Sequence, residues 1–214
     1  MTRLLFVTFL AFAACSSDPP ASTPDASTQD AANDTGSSQD GTTSDVATAD
    51  VTAPDAAGDA SSAFVLTSSA FTAGGAIPVT NSCKGLNESP ALAWTGAPST
   101  TKSFAFVLTD KTNALVHTAA FDIPAVESAL PAAIPKVANP PTPAGMKQVK
   151  AYDNATFGYL GPCPPSVHTY EFAIIALDVA TLPNVTTAST RTAVVTEIGK
   201  HTIATATLTG TFTP

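Results

Sequence analysis

The chain has few charged and aromatic residues, and it lacks the short motifs of several enzyme classes. Only 12% of its 214 residues are charged and 7% are aromatic. It contains no HExxH-type spacing and no GxSxG nucleophile elbow, which argues against zincin-type metalloproteases and α/β-hydrolases. From Phe64 onward eight acidic residues balance eight basic ones, so this part lacks the basic surface typical of nucleic-acid binding. Nucleic acid is therefore not an expected partner.

The segment 16–63 lacks aromatic residues, lysine and arginine. It contains nine aspartates spaced among Ala, Ser, Thr and Pro, and these supply the net charge of −8. Such a composition buries too little apolar surface to offset the entropy lost on ordering. We therefore predict a disordered acidic tether at 16–63 and one folded domain at 64–214, a length that supports a single substantial core.

The first fifteen residues have the pattern of a targeting segment. Arg3 precedes an apolar run, Leu4 to Ala14, which is too short to span a bilayer as a helix. The run ends in Ala13-Ala14-Cys15, which is similar to a bacterial lipobox. We predict a lipoprotein-type signal peptide at 1–15 and lipidation of Cys15. The protein is then expected in the bacterial cell envelope, anchored to a membrane through this lipid. Phe12 departs from the usual lipobox leucine, so ordinary cleavage and secretion stay the alternative.

Export also bears on the two remaining cysteines, Cys83 and Cys163. In an oxidising compartment an even pair favours a disulfide, which here would close a loop of about 80 residues. The alternative is two buried free thiols, because cysteine is often a small core residue.

The hydrophobic pattern from Phe64 onward predicts a mostly β domain. Short apolar or alternating runs predict strands, and one late segment has helical spacing. The prolines within 124–158 predict a long surface excursion without regular structure. Trp94 is expected in the core with its indole N–H paired. The predicted strands are 64–71, 90–94, 103–108, 116–123, 170–177 and 203–212, and the predicted helix is 187–201.

The most specific stretch is the proline-rich loop Gly161-Pro-Cys-Pro-Pro-Ser166, directly before a predicted core strand. Its three prolines fix φ and remove three backbone donors, so the loop cannot join a sheet. His168 and Tyr170 stand two apart at the start of the strand and so point to one face. Asp110 and His117 flank one short loop between two earlier strands. These positions indicate the rim of a small-ligand pocket.

The sequence motif GPCPPSxHxY resembles that of the bacterial branch of the phosphatidylethanolamine-binding protein family, a branch also called Raf-kinase-inhibitor-like. Further matching segments follow in the family's order, and the resemblance covers the chain from about Phe64 to the C-terminus. It implies an all-β fold with a minor helix, namely an antiparallel Greek-key β-sandwich with a peripheral C-terminal helix. The matching segments are Asn87–Trp94, Lys102–Asp110, Val116–His117 and Phe121–Pro124.

The resemblance also implies a small anion pocket without a cofactor, and a binding protein in preference to an enzyme. The expected ligand is phosphate or a phospholipid head group, and a protease or kinase is a further expected partner as the target of inhibition. Membrane contact is expected only through the N-terminal lipid anchor. The expected pocket residues are Asp110, His117, Cys163, Pro164, Pro165, His168 and Tyr170, with the backbone of 163–166 as a wall.

Two questions stay open at this level. A bare carboxylate repels an anion, so Asp110 is expected to orient a histidine N–H, to share a proton with the anion, or to pair with a ligand ammonium. The same Asp/His/His/Tyr cluster also allows a second function, a metal-dependent or other hydrolase.

Departures from the family pattern predict a loose pocket rim. Asp110-Lys-Thr-Asn-Ala114 lacks the second aspartate and both prolines of the usual Asp-Pro-Asp-x-Pro, and Thr169 replaces a common arginine. Val116 and Thr118 stand where aromatic residues often flank the pocket histidine. We therefore expect a rim with few aromatic side chains.

Overall fold

The computed structural model describes residues 62–214, so the predicted signal peptide and nearly all of the predicted tether lie outside the described residues. Within this range no helix is long and apolar enough to cross a membrane. The elements are eight strands, one α-helix and a 3₁₀ turn at Val79–Asn81. They are β1 Val65–Ser68, β2 Leu92–Thr95, β3 Ser103–Asp110, β4 Leu115–Pro124, β5 Ala129–Leu130, β6 Lys147–Gln148, β7 His168–Leu177, α1 Arg191–His201 and β8 Thr202–Phe212.

The strands form two antiparallel sheets. A three-stranded sheet has the order β1-β2-β5, and a five-stranded sheet has the order β6-β4-β3-β7-β8. The central strand β3 pairs with β7 along the whole length of β3, from Ser103 opposite Leu177 to Asp110 opposite Tyr170. The expectation of a mostly β, antiparallel fold with one helix is confirmed.

Two apolar layers cover the two faces of the large sheet. Between the sheets, Leu66 and Trp94 of the small sheet pack with Phe104, Phe172 and other side chains of the large one. On the opposite face, Val194 and Ile198 of α1 join residues such as Phe121. Because both faces are covered there, β3 from Phe104 to Leu108 and β7 from Phe172 to Leu177 are continuous apolar runs without the alternation of a half-exposed strand. The edge strand β8 does alternate, as its sequence predicts.

Some boundaries differ from the sequence prediction. β1 ends at Ser68, whose hydroxyl accepts from the Ala70 N–H and starts a turn. The helix begins at Arg191, not at 187, because Thr190 is its N-cap and accepts from the Ala193 N–H at 3.2 Å. The excursion 124–158 contains the short strands β5 and β6, whereas none was expected there.

Trp94 contradicts one expectation. Its side chain is 3% exposed and packs edge-on against Phe104 at 5.1 Å between ring centroids, as a core residue should. Its Nε1, however, is buried without a hydrogen-bond partner among the described residues. A buried donor without a partner costs about 1–3 kcal/mol. The apolar packing of the Trp94 ring therefore outweighs the cost of leaving its N–H unpaired.

Candidate functional site

Three neighbouring strands of the large sheet bring polar side chains to one end of the molecule. β3 ends at Asp110, while β4 begins just before His117 and β7 begins at His168. Asp110 lies opposite Leu115 on β4 and opposite Tyr170 on β7, so the three strand ends are in register. Asp110, His117, His168 and Tyr170 are all buried, with exposures of 1 to 6%. Sequence positions up to 60 residues apart thus form one polar cluster.

Asp110 holds one histidine and the turn that follows β3. Its Oδ2 lies 2.6 Å from His168 Nδ1. Its Oδ1 accepts hydrogen bonds from the backbone N–H groups of Thr112 and Asn113, at 2.9 and 3.3 Å. Because a carboxylate accepts, His168 Nδ1 carries a proton and Nε2 is the ring nitrogen left for other contacts. Of the three expected roles, the geometry shows the orientation of a histidine N–H.

His117 is oriented in the same way by a backbone carbonyl. Its Nδ1 donates to the Leu160 carbonyl oxygen at 3.0 Å, so Nε2 is again the ring nitrogen left for other contacts. Burial lowers the pKa of His117 below its ordinary value, and the hydrogen bond to Leu160 together with the nearby Asp110 charge offsets only part of this effect. His117 is therefore held as the neutral imidazole at neutral pH.

Tyr170 lies between the two histidines. Its ring centroid is 5.3 Å from that of His117, nearly perpendicular to it, and 6.3 Å from that of His168, nearly parallel. Burial raises the pKa of Tyr170, and the Asp110 charge raises it further. The phenol therefore keeps its proton and can act as a hydrogen-bond donor.

The proline-rich loop is fixed to the turn around Cys83. A disulfide joins Cys83 to Cys163, with Cα atoms 5.3 Å apart. The Cys83 N–H donates to the Pro162 carbonyl at 2.9 Å, and the Gly161 N–H donates to Asn87 Oδ1 at 2.8 Å. The loop forms no strand, as its prolines predict.

These elements enclose a cavity of about 100 Å³. All seven sequence-predicted site residues line it, whereas Ser166, which was expected in its wall, does not. At about 30 Å³ per water molecule, its volume corresponds to roughly three waters, well below the ~300 Å³ typical of drug-sized ligands. The cavity suits a small ion or a compact head group. Its lining residues are Asp110, Asn113, Leu115, His117, Tyr152, Cys163, Pro164, Pro165, His168 and Tyr170.

Three lining residues were not predicted from the sequence, namely Tyr152, Asn113 and Leu115. Tyr152 is the important omission, because its ring lies 4.5 Å from His117 and its backbone N–H donates to the His117 carbonyl at 3.0 Å. The rim is thus more aromatic than the departures at Val116 and Thr118 suggested. An isolated tyrosine within the irregular excursion was the only available signal. His201, by contrast, does not line the cavity and pairs with Asp178 at 2.9 Å.

The chemistry of the cluster is that of a small set of hydrogen-bonding groups. The phenol is a donor, and each imidazole Nε2 is an acceptor that becomes a donor when the ring gains a second proton. The thiol of Cys163 is engaged in the disulfide and is no nucleophile in this state. Among residues 62–214, no group of three or more His, Cys, Asp and Glu side chains is arranged to hold a metal ion.

The described residues form a two-sheet antiparallel β-sandwich with a small polar cavity at one end of its larger sheet. A family model described as phosphatidylethanolamine-binding protein matches residues 67–213. The chain belongs to the phosphatidylethanolamine-binding protein family.

Relatives and solved structures agree with this assignment. A UPF0098 protein of Methanothermobacter thermautotrophicus is 38% identical over 118 residues, which are 53% of this chain and 76% of the relative. A UPF0098 protein of Aquifex aeolicus is 36% identical over 121 residues, 54% of this chain and 68% of the relative. The crystal structure of YbcL from Escherichia coli, described as a member of the mammalian family, is similar with a TM-score of 0.64. It shares 29% identity and covers 71% of this chain and 98% of its own.

Proposed function

We propose that this chain is an exported, lipid-anchored binding protein whose cavity takes a small anion, either phosphate or the phosphate of a phospholipid head group. The observation that carries the proposal is the convergence of His117, His168 and Tyr170 on one cavity of about 100 Å³. Both histidines have Nδ1 engaged, so each can offer Nε2 to a ligand. The regulatory role toward a protease or kinase stays a prediction.

The charge of the cavity depends on proton uptake. With both imidazoles neutral, the Asp110 carboxylate makes the cluster negative and an anion is repelled. When an imidazole gains a proton, its Nε2 becomes a charged donor, and hydrogen bonds from charged donors are about twice as strong as neutral ones. Anion binding is therefore coupled to protonation of the histidines.

The direction of the pH dependence follows from His117. Burial lowers its pKa in the free protein, and a bound anion favours the protonated form and so raises this pKa. Binding is thus strongest below the pKa of free His117. It weakens as the pH rises toward the pKa of the bound form, by at most about tenfold per pH unit for each proton taken up.

The test is a titration of the full-length protein with inorganic phosphate and, separately, with phosphoethanolamine, monitored through the NMR signals of the histidine rings. We expect the signals of His117 and His168 to shift, and His117→Ala and His168→Ala each to lose binding. His201→Ala is the matched control, because His201 lies outside the cavity. Preferential binding of phosphoethanolamine would identify a head group, and equal binding would identify phosphate as the recognised part. Unchanged binding in either His117→Ala or His168→Ala would contradict the proposal.

The lipid anchor has its own test. Cys15 follows an apolar run and precedes the acidic segment 16–63, which supports lipidation at this residue. A multiply acylated cysteine holds a protein firmly in a bilayer, at about 0.8 kcal/mol for each buried CH₂ group. In a bacterial host we expect the protein in the membrane fraction and Cys15→Ser in the soluble fraction. An unchanged distribution, or a mature mass without acyl groups, would favour the secreted alternative.

A further inference from the structure

We propose that Arg191, the first residue of α1, is a positioning residue of the cavity, because its guanidinium fastens the loop that carries Tyr152 to the strand that carries His117. The functional meaning of this inference rests on the proposed anion site. The positioning itself can be measured in the protein without a ligand.

One guanidinium group joins two separate parts of the chain. Arg191 Nε donates to the carbonyl oxygen of Val116, the residue directly before His117, at 3.1 Å. Its Nη1 shares two N–H groups among three acceptors, namely the Lys150 carbonyl at 3.0 Å, the Ala151 carbonyl, and Asn154 Oδ1 at 3.2 Å. The acceptors on the loop therefore lie on both sides of Tyr152.

The loop 150–156 has few other contacts with the site. Within the loop the Ala151 N–H donates to the Thr156 carbonyl and the Asn154 N–H to the Ala151 carbonyl, while the Asp153 carboxylate accepts from the Ala155 N–H, the Thr156 N–H and the Thr156 hydroxyl. Two hydrogen bonds connect this region to β4. The Tyr152 N–H donates to the His117 carbonyl, and Arg191 Nε donates to the carbonyl of Val116, the residue before His117. The guanidinium holds donors on separate nitrogens in one plane, so Nε can face β4 while Nη1 faces the loop, whereas a lysine places its three donors on one nitrogen. The Tyr152 N–H and the Arg191 guanidinium thus together hold the Tyr152 ring against His117.

The charge of Arg191 acts on the same histidine. Burial is the main cause that lowers the pKa of His117, and the positive charge of Arg191 lowers it further. Removing the guanidinium removes this charge, and we expect the loosened loop to let water reach the ring. Both changes would raise the pKa of His117. The other titratable groups around the ring are Asp110, Tyr152, His168 and Tyr170, and Asp153 faces Arg191 itself.

The experiment uses NMR on the full-length protein without ligand. In Arg191→Ala we expect loss of the cross-relaxation between the Tyr152 and His117 rings, whose centroids are 4.5 Å apart, and a His117 titration midpoint at higher pH. Arg191→Lys keeps the positive charge but removes the planar guanidinium and its separate donor nitrogens. The ring contact should therefore weaken while the midpoint stays closer to that of the wild type. With phosphate present, the pH at which affinity falls should move up in Arg191→Ala together with the His117 midpoint.

Thr190→Ala is the matched control, because it removes the N-cap of the same helix without touching the guanidinium contacts. It should lower Tm and leave both His117 readouts unchanged. The proposal is overturned if Arg191→Ala keeps the ring contact and the midpoint, or if Thr190→Ala alters them equally. Should Arg191→Ala not fold, Arg191→Gln and Arg191→Lys provide the same readouts. Failure of phosphate to bind the wild-type protein would refute the anion site and leave the Arg191 result standing.

Discussion

The disulfide between Cys83 and Cys163 offers a prediction that separates stability from binding. The double substitution Cys83→Ala/Cys163→Ala opens a covalent loop with a sequence separation of 80 residues. In the chain-entropy model, a loop of this length restricts the unfolded state by about 4.5 kcal/mol at 25 °C. A domain of this size changes its Tm by about 2 to 4 °C per kcal/mol, so we expect Tm to fall by about 9 to 18 °C.

The cavity should nevertheless survive the loss of the disulfide at 25 °C. The turn and the proline-rich loop stay joined by the Cys83 N–H to the Pro162 carbonyl, by the Gly161 N–H to Asn87, and by the Tyr159 hydroxyl to the Asn81 carbonyl at 2.6 Å. Since the disulfide acts mainly on the unfolded chain, we expect phosphate affinity to change by less than about threefold, roughly 0.6 kcal/mol.

The assays are thermal unfolding by circular dichroism and phosphate titration, each on the wild-type and the double-variant protein. Reduction of the wild-type protein with a dithiol is the control and should lower Tm to the same extent. An unchanged Tm would refute the stabilising role of the bond. A fall in Tm accompanied by complete loss of binding at 25 °C would show that the bond shapes the folded cavity and does not act mainly on the unfolded chain.

The other predictions concern the carboxylate, a crowded glycine and the tether. Asp110→Asn places an amide donor against the donating Nδ1 of His168, so we expect the ring to move its proton to Nε2; an unchanged ¹⁵N tautomer pattern would contradict this. Gly161→Ala should lower stability by about 1 to 3 kcal/mol in denaturant titrations, because a Cβ there overlaps the Asn81 carbonyl oxygen, whereas Gly199→Ala meets open space and should show no such clash. Deletion of 16–63 with Cys15 retained should leave Tm unchanged, and a shift of several degrees would show that this segment contacts the domain.

The sequence alone determined those parts of the fold and site that depend on local pattern. Proline spacing fixes the loop before β7, and strand periodicity places His168 and Tyr170 on one face. Alternation along β8 marks its buried side. These features need only neighbouring residues, so they could be predicted without tertiary contacts.

Tertiary structure alone decided which partners the site residues have. Asp110 contacts His168, 58 positions away, although His117 is only seven positions away along the chain, because β3 pairs with both β4 and β7 and the carboxylate is directed toward β7. Tyr152 and Arg191 come from an irregular excursion and a helix start, which have no periodic signal pointing to the cavity. Their roles depend on backbone carbonyls that long-range packing brings within reach, and a carbonyl is present at every residue. The side-chain pattern of the sequence therefore could not identify them.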